Sequence, residues 1–213
     1  MRVVACLVVL TSLAFGRVAS AQQVPKERVG FQMALRTGYA IPMGDASEDV
    51  ELSDGVTGQV PLFIEIGGKI SSNVFIGGYF GLAFGGGKNC DDADSCVAVG
   101  VRLGPELQYH FTPAGSVNPW IGYGIGIESL AIAAETNGQE TTTSLSGFEY
   151  ARLSGGVDFR LSRVFGIGPF VDFSIGEYTR FEFDTPVFDA DGDIEDGAAH
   201  QWLTLGVRGV FFP

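Results

Sequence analysis

The sequence predicts an all-β protein, an eight-stranded antiparallel up-and-down transmembrane β-barrel, and three observations carry that prediction. Residues 97–111, VAVGVRLGPELQYHF, set Val97, Val99, Val101, Leu103, Leu107, Tyr109 and Phe111 on one face and Arg102, Glu106, Gln108 and His110 on the other. That period of two belongs to a strand and not to a helix. The segment exceeds the usual soluble strand of about five or six residues and the roughly 9 to 11 tilted residues that cross a bilayer. Seven further segments repeat the pattern, and long polar connections between them alternate with short turns, as in barrels with short turns at one rim and longer loops at the other.

Taken in order, the first strand, residues 29–41, turns Phe31, Met33, Leu35, Tyr39 and Ile41 one way and Gln32, Ala34, Arg36 and Gly38 the other. An acidic connection, 42–58, leads to the second strand, 59–70, where Val60, Leu62, Ile64, Ile66 and Ile70 oppose Phe63, Glu65 and Lys69. Ser71, Ser72 and Asn73 make a short turn into the third, 74–84, and a second polar loop, 85–96, precedes residues 97–111. The fifth strand opens with PWIGYGIG at 119–126. A third loop is expected over 133–147, rich in Thr, Glu and Asn. The sixth strand, 149–161, opposes Leu153, Val157, Phe159 and Leu161 to Arg152, Ser154, Asp158 and Arg160; the seventh, 164–178, opposes Phe165, Ile167, Val171, Phe173 and Ile175 to Gly168, Phe170, Asp172 and Ser174. A fourth long segment, 179–199, holds FDADGDIEDG, and the eighth strand, 200–212, alternates Leu203, Leu205, Val207 and Phe211 with Trp202, Thr204 and Arg208.

Alternation alone does not say which face is inside, but volume does. The apolar faces sum to roughly forty large side chains, more than the narrow interior of an eight-stranded barrel holds, so they face outward. The other face is about half Gly, Ala and Ser, interspersed with Arg36, Lys69, Arg102, Arg152, Arg160 and Arg208 against Glu65, Glu106, Glu128, Asp158 and Asp172. Six cations beside five anions predict a lumen filled by a charge network, since buried charges persist when paired. Tyr109, Phe111, Phe165 and Phe211 at the turn side, and Tyr39 and Phe84 at the loop side, sit where interfacial girdles belong.

The first 21 residues run from Arg2 through an apolar stretch to Ala19, Ser20 and Ala21, which predicts a secretory signal peptide and a mature barrel domain over 22–213. Losing Arg2 and Arg17 leaves 11 of the 13 basic residues against 25 acidic ones, a formal charge of −14. Nucleic acid is excluded as a partner by that balance. Cys90 and Cys96 flank DDADS, and in an exported chain two cysteines predict a disulfide at a loop tip.

With strands, girdles and export signal in place, the chain resembles the small eight-stranded outer-membrane barrels of Gram-negative bacteria, those of the OmpA transmembrane domain and OmpX and, more distantly, OmpW. The segment 119–126 is similar to the family's proline-aromatic-glycine strand opening, and the aromatic final strand is similar too. It departs from the family in ending Phe211, Phe212, Pro213, with Gly209 where another aromatic stands, and no peptidoglycan-binding domain follows Pro213 in this sequence. The resemblance implies residence in the outer membrane, contact with lipid and lipopolysaccharide, insertion by the barrel assembly machinery, a monomeric state and no cofactor. Its implied roles are structural, envelope-stabilising or surface-interacting, with a narrow pore for small or apolar solutes as the alternative.

Two chemical alternatives are weaker. Asp189, Asp191, Asp193 and Glu195 offer oxygen ligands of the kind calcium takes, but the glycine comes too early for an EF-hand, and an acidic solvated loop accounts for them. A lipid A-modifying barrel enzyme would need His and Ser together. His110 falls at the turn end, His200 shares parity with Trp202 and Arg208 and so points into the lumen, and no Ser stands beside either in sequence.

Overall fold

A computed structural model of the chain describes residues 29–47, 50–88, 90, 93–185, 188–194 and 197–212. The signal peptide and the mature start at Gln22 lie outside the described residues, as does Glu195. Eight long strands form the wall: β1 (Gly30–Ser47), β3 (Val56–Lys69), β4 (Val74–Gly87), β5 (Ser95–His110), β6 (Val117–Thr136), β7 (Gln139–Arg160), β8 (Phe165–Thr185) and β10 (Ala199–Phe211). Each pairs antiparallel with its neighbour in sequence, and β10 closes the ring by pairing with both β8 and β1. The remaining pieces belong to the loop-side rim: β2 (Val50–Glu51), the single helical turn α1 (Leu52–Gly55), and β9 (Phe188–Asp193), which pairs with the upper part of β8. No helix among the described residues is long and apolar enough to cross a membrane, which says nothing against a closed barrel, since barrels cross with strands.

The alternation places the side chains. In β5, Leu103, Leu107 and Tyr109 are 45%, 48% and 44% exposed, while Arg102, Glu106, Gln108 and His110 are buried. The same division holds around the ring, and the six aromatic residues expected in girdles are all exposed. This interior is the reverse of a soluble core: most of its buried side chains are polar or charged.

Two features differ from the expectation. Residues 133–147 are not a loop. They continue β6 and β7 past the charged lumen, paired from Ala133 with Thr142 to Thr136 with Gln139, and a two-residue hairpin closes them at Asn137 and Gly138, with φ of 52° and 76°. Positive φ at both positions is the geometry that Asn-Gly favours in tight hairpins. Likewise β1 and β8 run on into the stretches expected to be loops, so the rim above the lumen is largely a raised β-wall.

The second difference is in register. The β7–β8 pairing shifts twice, between Ser146 and Gly147, where the extra residue is Thr179 on β8, and between Glu149 and Ala151, where the extra residue is Tyr150 on β7. A bulge moves later residues to the opposite face, so Glu149 and Arg152, three apart, both point inward.

Candidate functional site: the lumen and its loop-side mouth

The lumen fills in three tiers. Nearest the turns, Arg208 donates from Nη1 to Asp158 Oδ2 at 2.7 Å and from Nη2 to Glu65 Oε2 at 3.2 Å and Gln108 Oε1 at 2.8 Å. Gln108 returns a bond from Nε2 to Glu65 Oε2 at 3.0 Å, so one carboxylate receives from two strands. In the middle tier Arg36 of β1 contacts Glu65 of β3 and donates to Glu106 of β5 and Asp172 of β8, each at 3.2 Å. Asp172 also accepts from Arg152 Nε at 2.8 Å. The loop-side tier holds Arg102 between Glu128 at 3.3 Å and Glu149 at 3.8 Å, with Nη1 donating to Ser174 Oγ at 3.2 Å. Tyr79 donates to Glu149, and the His200 ring bonds Glu128.

Aromatic faces hold the guanidinium groups in place. Arg36 lies 5.4 Å from the Trp120 ring and 5.3 Å from Phe170; Arg208 lies 4.3 Å from Trp120; Arg152 lies 3.9 Å from Phe63 and 4.4 Å from Tyr79. Each desolvated contact of this kind stabilises by about 0.5 to 2 kcal/mol. Gly81, paired with Phe63, makes the room: a Cβ there would run into the Phe63 ring. This is why small residues alternate with large ones on the inner face.

Of the residues expected in the network, Arg36, Glu65, Glu106, Arg152, Asp158, Asp172 and Arg208 meet one another directly, while Arg102 pairs in its own tier with Glu128 and Glu149. Lys69 and Arg160 stand at the turn-side end. There Lys69 Nζ donates to Ser72 O at 3.4 Å, Arg160 Nη2 donates to Pro113 O at 2.6 Å, and the Phe212 ring lies 5.1 and 5.5 Å from the two cations. Glu149 is the member that strict alternation missed, because only the β7 bulge turns it inward.

The histidines are both buried. His110 Nδ1 faces Asn118 Nδ2 at 2.8 Å, while Asn118 Oδ1 accepts from the Thr112 N–H. His200 stacks on Tyr178 with ring centroids 4.0 Å apart. Asp189, Asp191 and Asp193 occupy alternate, exposed positions on β9, and Asp193 lies 3.9 Å from Arg180. Among the described residues no three His, Cys, Asp or Glu converge as metal ligands. Cys90 and Cys96 are joined by a disulfide beside the β4–β5 connection, with Cα atoms 6.2 Å apart.

Above the charged tiers the lining becomes apolar. Tyr178 and Trp202 form a floor with Ala40, Ala46, Ala98, Leu52, Val56 and Leu130 packed on it; beneath it Trp202 covers Arg102 at 5.0 Å. Over this floor a cavity of about 410 Å³ opens at the loop side, lined by Leu52 and Val56 from one wall and Leu130, Ile132, Leu145 and Phe181 from the other.

An outward apolar wall, a salt-bridged lumen and eight closed antiparallel strands define a small barrel of the outer-membrane type. No protein-family model and no curated protein match the chain. Solved structures do match. The outer-membrane protein OprG from Pseudomonas aeruginosa superposes with a TM-score of 0.53 at 11% identity, covering 87% of this chain and 98% of that one. Neisserial surface protein A matches with a TM-score of 0.45 at 14% identity, over 84% of this chain and 96% of its own. The outer-membrane protein AlkL, solved in lipid bilayers, matches with a TM-score of 0.47 at 14% identity, over 88% and 93%. At these identities the OprG match bears on the fold, which it shares.

Proposed function

We propose that this chain is a monomeric, non-enzymatic outer-membrane barrel with a closed lumen, serving a structural or surface-interacting role and inserted through the barrel assembly machinery. The observation that carries it is Arg36, whose guanidinium joins carboxylates from three different strands in mid-lumen while Trp120 and Phe170 flank it. An eight-stranded bore is only wide enough for side chains, and these fill it. Above the membrane the raised wall presents a predominantly acidic surface, in which Asp184, Asp189, Asp191 and Asp193 stand on β8 and β9. In this reading that rim, together with the disulfide-tied β4–β5 connection, is what the outside meets. Membrane fractionation with proteolysis of intact cells tests the placement: cleavage confined to loop-side connections supports it, and recovery in the soluble periplasmic fraction contradicts it. Swelling of protein-loaded liposomes in small sugars tests the closed lumen, with no swelling above empty liposomes expected.

A second reading rests on the mouth cavity, whose volume falls within the roughly 300 to 1,000 Å³ of small-molecule pockets. In that reading the barrel captures a small apolar solute without passing it, because the Tyr178 and Trp202 floor separates the cavity from the charged tiers. Titrating nanodisc-embedded protein with cyclohexanol should move the Leu130 and Ile132 methyl resonances saturably. Thr143→Trp, which fills the cavity from β7, should abolish the movement; unchanged spectra of the parent protein would remove this reading.

A further inference from the structure

The wall is not uniformly bulky on its outer face. At the level of Leu103, Ile127 and Phe148, two strand positions carry serine: Ser129 on β6 and Ser146 on β7, paired in register, with Ser146 Oγ donating to Ser129 Oγ at 3.2 Å. Ser146 pairs with Arg180 of β8 at a register shift whose extra residue, Thr179, is on β8. The result is a hollow of about 310 Å³ in the outer wall, with Leu103, Ile127 and Phe148 as its apolar sides and Arg180 at its loop-side rim. Glu128 also borders it, but its carboxylate is turned into the lumen toward Arg102 and His200, so the hollow presents no anion of its own.

The hollow lies on the turn side of the loop-side aromatic level. Leu103 stands four residues along β5 from Val99, which pairs with the girdle residue Phe84. Arg180 extends into solvent above it, its side chain 66% exposed and 3.9 Å from Asp193, a loose pair that contributes little at such exposure. An apolar slot opening toward lipid and topped by a cation matches one chemistry: an acyl chain below and a phosphate at headgroup height, the guanidinium giving the phosphate paired donors.

We propose that this hollow is a fixed site for a phosphate-bearing lipid of the loop-side leaflet, one acyl chain lying between Leu103, Ile127 and Phe148 and a phosphate meeting Arg180. The site rests on the outer-membrane reading above. It adds that one lipid is held at a defined position on the wall and is not exchanged like its neighbours.

Native mass spectrometry of the full chain released from nanodiscs tests it, with lipid A, lipid A lacking its phosphates, and phosphatidylcholine as three separate probes. The parent protein should retain one lipid A at collision energies that strip phosphatidylcholine, and retention should fall at least tenfold for the dephosphorylated form. Ser146→Leu fills the slot with a side chain the lipid face favours, and R180Q removes the charge at an exposed position; each should lose the retained lipid. Thr37→Leu, an equivalent outward change on β1 across the barrel, should keep it. Retention in both site variants equal to the parent's, or equal retention of phosphatidylcholine, overturns the proposal. Heat-modifiable mobility on gels, unchanged in all variants, separates loss of the lipid site from failure of the barrel itself.

Discussion

Glu149 lies 3.8 Å from Arg102 because β7 gains a residue beside it. Without that register shift the inward position of Arg152 would send Glu149 outward, and the loop-side tier would hold Arg102 against Glu128 alone. With it, six lumen cations face six lumen carboxylates, counting Lys69 and Arg160 at the turn-side end.

Glu149→Ala should therefore destabilise the barrel by about 3 to 5 kcal/mol, the cost of leaving buried charge uncompensated. It also removes the acceptor of the Tyr79 hydroxyl. Urea titration in bilayers, followed by electrophoretic mobility of the folded form, measures it. A loss below about 1 kcal/mol, the range of exposed pairs, would show that water reaches this tier.

Arg36→Lys tests geometry apart from charge. The ammonium keeps the positive charge but loses the planar fork that reaches Asp172 from Nη1 and Glu106 from Nη2. The expected loss is about 1.5 to 3 kcal/mol, that of a hydrogen bond to a charged group. The same urea titration reads it, and full stability in the lysine variant would show that charge alone holds the middle tier.

Leu103→Arg places a charge on the outer face midway along β5, where the parent side chain is 45% exposed. If that face meets lipid, the variant should lose about 2 to 4 kcal/mol, as arginine at the midplane of a barrel does. Folding yield into vesicles of defined lipid reports the outcome. Undiminished yield would mean the outer face meets water.

Strand number, strand parity and the inward set of charges were legible in the sequence because period-two alternation is a local property: each residue's face follows from its neighbour's. The hairpin at Asn137 and Gly138 was missed: the Thr, Glu and Ser around that pair lack apolar alternation, so the whole of 133–147 read as loop although Asn-Gly is itself a short hairpin signal. Those residues stand above the apolar band, where neither face need be hydrophobic, and pairing with β5 and β8 holds them as strands. Glu149 was hidden for the opposite reason. Parity counting assumes an unbroken register, and the shifts at Ser146 and Glu149 leave no composition signal beyond Gly147. The mouth cavity joins walls far apart in sequence, Leu52 and Val56 against Leu130 and Phe181, and the outer hollow depends on the cross-strand register of β5 to β8; no local pattern encodes either.

The disulfide offers a check on where stability resides. Cys96→Ser opens a loop with a sequence separation of 6, for which chain entropy gives less than about 3 kcal/mol, and the loop stands outside the lumen tiers. Intact mass under non-reducing conditions should show the parent protein without free thiols. The serine variant should keep the same resistance to heat in the folded barrel. Unfolding of that variant in parallel with the lumen variants would place the loop inside the cooperative unit.

Single-channel recording in planar bilayers addresses the closed lumen most directly. Purified wild-type protein, shown to be inserted by its heat-modifiable mobility, should give no steady conductance above the bare membrane, because Arg36, Arg152 and their carboxylate partners occupy the middle of the bore. Stable, reproducible unitary steps from the wild-type protein would contradict that account and establish a pore in its place.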